Sequence, residues 1–209
     1  MRRSTIVNLN TRKFVKILKQ DYLTVIFAVI FLIGIIVGVI AVGRNSFAGT
    51  VAQQQFSAYV ESRKDAGVFR IFISAFFDVL PLGLITFLCG TSLVGIALCP
   101  LAVCYKGFSY GIISGYLYKI FLLKGIAFNA LVLIPTTLVS SIALIICGKL
   151  AFNFSLILAR ASIPKGQSVN LYNSFQLYCK RFAVSLLLLA LSSMIDAIMS
   201  VAFLHFFNF

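Results

Sequence analysis

Long apolar runs separated by short polar and basic segments dominate the hydrophobic pattern of this chain. The first run, Tyr22–Val42, contains 21 residues without a charge. About 20 apolar residues in a helix are enough to cross the ~30 Å hydrocarbon layer of a membrane. The apolar positions are continuous rather than alternating, and only helices and closed barrels can span lipid. The pattern therefore predicts an all-α, polytopic integral membrane protein.

By the length of its apolar runs, the chain is predicted to have about five transmembrane helices, with six as the alternative count. The predicted crossings are Tyr22–Val42, Phe72–Leu88, Leu93–Tyr118, Ile126–Leu158 and Phe182–Leu204. Cys89–Ser92 carries turn-forming residues between the second and third crossings. Lys119–Gly125 is predicted as a short loop, and Arg160–Arg181 as a polar loop.

The third and fourth runs are too long for one straight crossing. The 33 residues of Ile126–Leu158 would extend about 50 Å as a single helix. Pro135 lies inside this run, and Pro100 lies inside the third. Because proline removes a backbone donor and clashes with the preceding turn, we expect kinked or broken helices in both segments. A re-entrant hairpin is the alternative for the third.

Small residues recur every fourth position in two of the runs. The set consists of Gly34 and Gly38 in the first run, and of Gly107, Gly111, Ser114 and Gly115 in the third. At 3.6 residues per turn, each group shares one face of its helix. A face without large side chains allows the backbone of another helix to approach closely in lipid. We therefore predict that these residues form helix-packing or interaction faces.

Composition and charge narrow the class further. Hydrophobic residues make up 61% of the chain and charged residues 11%, and the mean hydropathy is +1.04, whereas soluble domains carry about 25% charge. The net charge of +13 comes from basic residues dispersed between apolar runs, where they attract anionic membrane lipid. No nucleic-acid-binding motif accompanies them, so we expect no nucleic-acid partner.

The basic residues also predict an orientation. With five crossings, the N-terminal tail and Arg160–Arg181 share one side and carry six and four Lys or Arg residues, against six on the other side. Cytoplasmic segments are enriched in such residues, so the N-terminus is predicted in the cytoplasm and the C-terminus outside. Residues 1–21 form a basic cytoplasmic tail, either an interfacial helix or unstructured, and 22–209 form one transmembrane domain. A signal peptide is disfavoured because Tyr22–Val42 exceeds the usual ~7–15 apolar residues.

Candidate chemistry is sparse. The one histidine, His205, lies near the C-terminus, and the five cysteines form no C-x-x-C pair. A nucleophile–histidine pair or a metal site needs combinations that are absent here. We therefore predict no enzyme activity, catalytic residue, metal or cofactor.

Three charges inside the predicted crossings remain to be explained: Asp78, Lys106 and Asp196. A charge at membrane depth is costly and suggests function by default. One interpretation is a small transporter or channel with these side chains along its path. The other, which we favour, is structural: an internal salt bridge or hydrogen bond, such as Lys106 with Asp196.

Three segments resemble the stage II sporulation protein M family. They read L-C-G-T-S-L-V-G-I-A-L at Leu88–Leu98, K-G-F-S-Y-G-I-I-S-G-Y at Lys106–Tyr116 and K-G-I-A-F-N-A-L-V-L-I-P at Lys124–Pro135. The basic tail and Asp196 also fit the family.

This resemblance implies a cell-membrane protein of endospore-forming bacteria. In the family, the membrane protein works with two peptidoglycan-degrading partners, a lytic transglycosylase and an amidase, in septal thinning and forespore engulfment. It implies a non-catalytic scaffold that anchors and localises the two hydrolases. The residues themselves agree, since they offer packing faces and no catalytic set.

Overall fold

Six α-helices and one π-helical turn make up the part of the chain that the structure describes. The computed structural model describes residues 22–44, 46–63, 66–162 and 171–203. The elements are α1 Tyr22–Arg44, α2 Ser46–Glu61, α3 Val68–Gly90, α4 Gly95–Phe128, a π segment Asn129–Leu133, α5 Ile134–Ala161 and α6 Leu171–Phe203. These ranges contain no strand, which confirms the predicted all-α class.

The long helices have the length and apolarity of membrane crossings. α1, α3 and α6 each qualify, and residues 95–161 form a further continuous helical stretch of 67 residues. Such a stretch would measure about 100 Å if straight, but it bends sharply at Leu122, whose φ is 47° and ψ −122°. Beyond the bend, Gly125 lies against the carbonyl group of Leu117. The chain thus folds back on itself here, and the described helices supply five crossings.

The prediction of a loop at Lys119–Gly125 is therefore wrong. The chain stays helical on both sides of one non-helical residue. Gly125 permits this because a Cβ atom there would collide with the backbone of the preceding helical segment. α4 also runs through Pro100 without non-helical backbone angles at that residue, so it is no re-entrant hairpin.

The predicted polar loop Arg160–Arg181 is shorter than expected, because α6 already begins at Leu171. Tyr178 gives the physical reason. Its ring stacks on Phe87 and Phe154, with ring centroids 5.1 Å and 4.7 Å apart, and its hydroxyl donates to the Phe87 carbonyl at 3.0 Å. Through these contacts one face of a polar segment packs against α3 and α5, and hydropathy alone does not reveal such packing.

α1 packs most extensively against α4, and small residues form the contact. A Cβ atom at Gly34 would collide with the carbonyl oxygen of Cys104 on α4, and one at Gly111 with that of Ile35 on α1. Close backbone contacts also occur at Gly38, Gly107 and Gly115. Ser114, beside them, is buried. Because the backbones touch, α4 must keep one rotational setting, and Lys106, one position before Gly107, lies about 100° around the helix from this contact.

α2 is a short helix of 16 residues that packs on the other helices without the length to span a membrane. Its buried Phe56 contacts the rings of Tyr116, Phe121 and Phe128, with centroids 6.1, 5.9 and 5.8 Å away. Ala52, one turn earlier on the same face, is fully buried. α2 is thus held against the end of the bundle where α1 ends and the chain reverses at Leu122.

We predict that Gly111→Leu destabilises the protein by about 3 kcal/mol, because the new side chain must separate two touching backbones. Thermal unfolding of the purified protein in lipid nanodiscs measures the effect. Gly43→Leu is the matched control, since nothing lies within 4 Å of a Cβ atom at Gly43. Equal stability of the two variants would show that the α1–α4 contact does not require glycine.

Candidate functional site

A polar cavity of about 520 Å³ lies between α2, α3, α4, α5 and α6. Four charged side chains line it: Arg63, Asp78, Lys106 and Asp196. Most of the remaining polar lining consists of hydroxyl groups. Since the surrounding helices are apolar, this cavity concentrates the charged groups of the bundle interior.

The structure brings the three predicted intramembrane charges together. Asp78 comes from α3, Lys106 from α4 and Asp196 from α6, and all three line the one cavity. The glycine face does not take part. Instead it fixes α4 on α1, so that the residues one position away, including Lys106 and Tyr110, face the cavity.

Sequence reasoning missed Arg63, which it counted only as a basic residue outside the membrane. The side chain is 4% exposed and enters the cavity from the turn after α2. A signal was present in the sequence. Ala52, Phe56, Tyr59 and Arg63 follow one another at intervals of four, three and four residues, which is the spacing of a single helix face.

Arg63 and Asp196 form a buried ion pair. One guanidinium nitrogen of Arg63 bonds to Oδ2 of Asp196, and the hydroxyl of Tyr59 donates to Oδ1 at 2.8 Å. Thr136 approaches the same Oδ1 at 3.5 Å. Asp196 is 3% exposed, so its charge is neutralised and its hydrogen-bonding capacity is used within the protein.

The expected pair of Lys106 with Asp196 is therefore wrong. Among the described residues, the salt bridges connect Arg63 to Asp196 and, at 3.9 Å, to Asp78. The physical reason is that α2 delivers a guanidinium group directly onto the carboxylate. Its planar fork of donors suits a buried carboxylate better than the single, strongly hydrated ammonium of lysine.

Tyr59 holds Arg63 from a second direction. The guanidinium carbon lies 3.5 Å from the centre of the Tyr59 ring, and Nη1 donates to the Tyr59 carbonyl at 3.1 Å and to the Ser62 hydroxyl at 2.9 Å. Burial raises the pKa of the Tyr59 hydroxyl above its usual range, and the nearby Asp196 carboxylate adds to this shift. Tyr59 therefore remains a neutral donor to Asp196.

Asp78 and Lys106 are arranged differently. The Asp78 side chain is 64% exposed, so the cavity opens beside it. Lys106 is partly buried, and no hydrogen bond or salt bridge to its ammonium is found among the residues that the structure describes. The two opposite charges thus face one space without the tight pairing of Arg63 and Asp196.

Asn129 supports the fold beside the cavity. It is 1% exposed and accepts a hydrogen bond from the Tyr110 hydroxyl at 3.0 Å, while its amide donates to the Tyr118 hydroxyl. It opens the π segment, which ends two residues before Pro135. Because proline has no N–H for the regular helical bond, a widened turn at this point accommodates the break.

The described residues contain no cluster of three metal-binding side chains. All five cysteines are free. His205 and the basic tail 1–21 lie outside the described residues. Within the described ranges, the cavity therefore combines charges and hydroxyls without a nucleophile–histidine pair.

The family model for Stage II sporulation protein M matches residues 27–204. This range includes every described helix except the first residues of α1. The chain belongs to the stage II sporulation protein M family. Membership makes it a multi-pass sporulation membrane protein of a family that is not a known enzyme family. No curated protein and no solved structure matches the chain.

We predict that Arg63→Met destabilises the protein by about 3–5 kcal/mol, because it leaves the Asp196 carboxylate buried without its partner. Chemical unfolding in mixed micelles measures the loss. Arg70→Met, which removes an exposed arginine, is the control and should cost little.

The double variant Arg63→Met/Asp196→Leu tests the pairing itself. It should lose clearly less stability than the sum of its two single variants, because both charges leave together. Additive losses would mean that the ion pair does not couple the two residues.

Proposed function

We propose that this protein is a non-catalytic membrane scaffold that anchors and localises peptidoglycan hydrolases during septal thinning and forespore engulfment. The observation that carries the proposal is the family match over residues 27–204. The partners that the family implies are a lytic transglycosylase and an amidase. Membrane lipid surrounds the apolar helices, as expected for a multi-pass protein.

The orientation that fits this role has the N-terminus in the cytoplasm and the C-terminus outside. With five crossings, the end of α1, the start of α2 and the chain reversal at Leu122 then lie towards the outer side, where the cell wall is. Peptidoglycan hydrolases act on that side. The basic residues of the tail support the orientation.

The surface best suited to bind a hydrolase is the outward face of α2. Gln53, Gln54, Ser57 and Glu61 are exposed there, so the face is polar although the protein is largely apolar. The opposite face is fixed by Phe56 and Arg63, which are 5% and 4% exposed. A rigidly held polar helix at the membrane surface presents hydrogen-bonding groups at little cost in conformational entropy.

A deletion strain tests the scaffold. We expect sporulating cells without the protein to stall before engulfment completes, with both hydrolases mislocalised under fluorescence microscopy. The wild-type chain should restore both. Ser57→Tyr, on the outward face of α2, should reach the membrane normally but fail to localise the hydrolases.

Ser92→Tyr is the matched control, since Ser92 is exposed in the turn between α3 and α4, at the opposite end of the bundle. It should behave as wild type. Normal engulfment in the deletion strain would overturn the scaffold function, and full activity of Ser57→Tyr would exclude this face of α2.

The second candidate function is a small transporter or channel. The observation that favours it is that Asp78, Lys106 and Asp196 line one cavity, which opens beside Asp78. Asp196 is occupied by Arg63, so a path through the cavity would use Asp78 and Lys106.

Flux into proteoliposomes distinguishes this candidate from the scaffold. A transporter should carry K⁺, Na⁺, H⁺ or Cl⁻ at a rate that Asp78→Asn reduces at least about tenfold, because a charge lining the path is lost. Glu61→Gln, which neutralises an exposed acid outside the cavity lining, should leave the rate unchanged. Absence of flux for all four ions in the wild type would reject the candidate.

A further inference from the structure

The cavity contains polar groups that the protein itself does not satisfy. The Nε–H of Arg63 and the Oε1 atom of Gln55 are buried and have no hydrogen-bond partner, although both residues line the cavity. Buried polar groups are normally paired, and exceptions call for a ligand, water or function. These two atoms therefore mark a place where something else supplies the partners.

The charged side chains that line the cavity indicate what charge such a partner carries. Arg63 and Asp196 cancel each other in a tight pair. Lys106 and Asp78 carry one positive and one negative charge on different helices, and no N–O contact within 4.0 Å joins the two in the described residues; Asp78 has the longer, 3.9 Å contact to the Arg63 guanidinium group. Charges at membrane depth are costly unless they are paired, so Lys106 needs a counter-charge from the cavity, and Asp78, whose ion-pair contact to Arg63 is long, can accept a second cationic group.

We propose that the cavity binds a small zwitterion. Its cationic group lies against Asp78, and its anionic group lies against Lys106, in the part of the cavity that Arg63 also lines. A simple anion would sit beside two carboxylates, and a simple cation beside two basic groups, so neither matches the site as well. A molecule that carries both a positive and a negative group can pair with Asp78 and with Lys106, in each case through a charge-assisted hydrogen bond.

Size and lining agree with this class of ligand. The cavity volume of about 520 Å³ lies within the range of small-molecule sites, about 300–1,000 Å³. Ser74, Ser109 and Thr137 line it from three helices and make no side-chain hydrogen bond within the described part of the chain. Their hydroxyls are available to a polar ligand or to the water around it.

The position of the opening allows two sources of the zwitterion. Asp78 lies near the middle of the 23-residue helix α3, at membrane depth. The ligand is thus either a dissolved molecule or the headgroup of a zwitterionic lipid, and phosphoethanolamine represents both chemically. This inference goes beyond the scaffold function and does not depend on it.

The test uses the full chain in phosphatidylglycerol nanodiscs, titrated by calorimetry with phosphoethanolamine, ethanolamine or inorganic phosphate. Phosphoethanolamine should bind at least about tenfold more tightly than ethanolamine, which is only cationic, or inorganic phosphate, which is only anionic. In phosphatidylethanolamine nanodiscs, weaker apparent binding assigns the site to the lipid headgroup by competition, and unchanged binding assigns it to a dissolved zwitterion.

Two variants test the geometry. Lys106→Met and Asp78→Asn should each weaken phosphoethanolamine binding about tenfold or more, while Lys180→Met and Glu61→Gln, which change exposed residues outside the cavity lining, should not. Lys106→Met leaves the contacts of Arg63 in place, and Asp78→Asn removes the longer, 3.9 Å ion-pair contact to Arg63 but keeps its bond to Asp196; equal unfolding temperatures will verify folding. Undetectable wild-type binding, binding no tighter than that of ethanolamine or inorganic phosphate, or binding insensitive to both cavity variants would each overturn the proposal. Failure here leaves engulfment unaffected, so it is distinguishable from failure of the scaffold function.

Discussion

The contact between the backbones of α1 and α4 is the constraint on which the rest of the bundle depends. Where Gly34 and Gly111 meet the opposite helix, no side chain separates the two main chains. In lipid, burial of apolar surface does not drive such contacts, so close packing of small residues must hold the helices. Because α4 cannot rotate without breaking this contact, the positions next to its glycines keep their direction, and Lys106 lines the cavity.

The ion pair of Arg63 with Asp196 acts as the second constraint. It joins the turn after α2 to the last crossing, over 133 residues of chain. Such a pair contributes little net stability on balance, yet loss of either partner leaves a buried charge uncompensated. It holds the turn after α2 against α6 and, with Tyr59, forms part of one wall of the cavity. α2 then presents its polar face outward, and that face is the surface proposed to bind a hydrolase.

The cavity connects the two constraints. The glycine contact fixes Lys106, and the ion pair fixes Arg63, while Asp78 stays at the opening. A scaffold needs neither a polar interior nor a lysine at membrane depth without an ion-pair partner among the described residues, because burial of such a charge is costly. The arrangement is therefore better explained if the bundle also holds a polar ligand, and the scaffold surface and the ligand site lie on opposite sides of α2.

The sequence by itself determined the class, the five crossings, the family and the identity of three cavity charges, because lipid imposes length and hydropathy on each helix separately. Only the tertiary structure decided which residues and helices of the chain contact one another. Asp196 pairs with Arg63 rather than Lys106, the chain reverses at Leu122 without a loop, and Tyr178 extends α6 into a polar segment. These outcomes depend on which helix faces lie together, and hydropathy carries no information about contacts between segments distant in the chain.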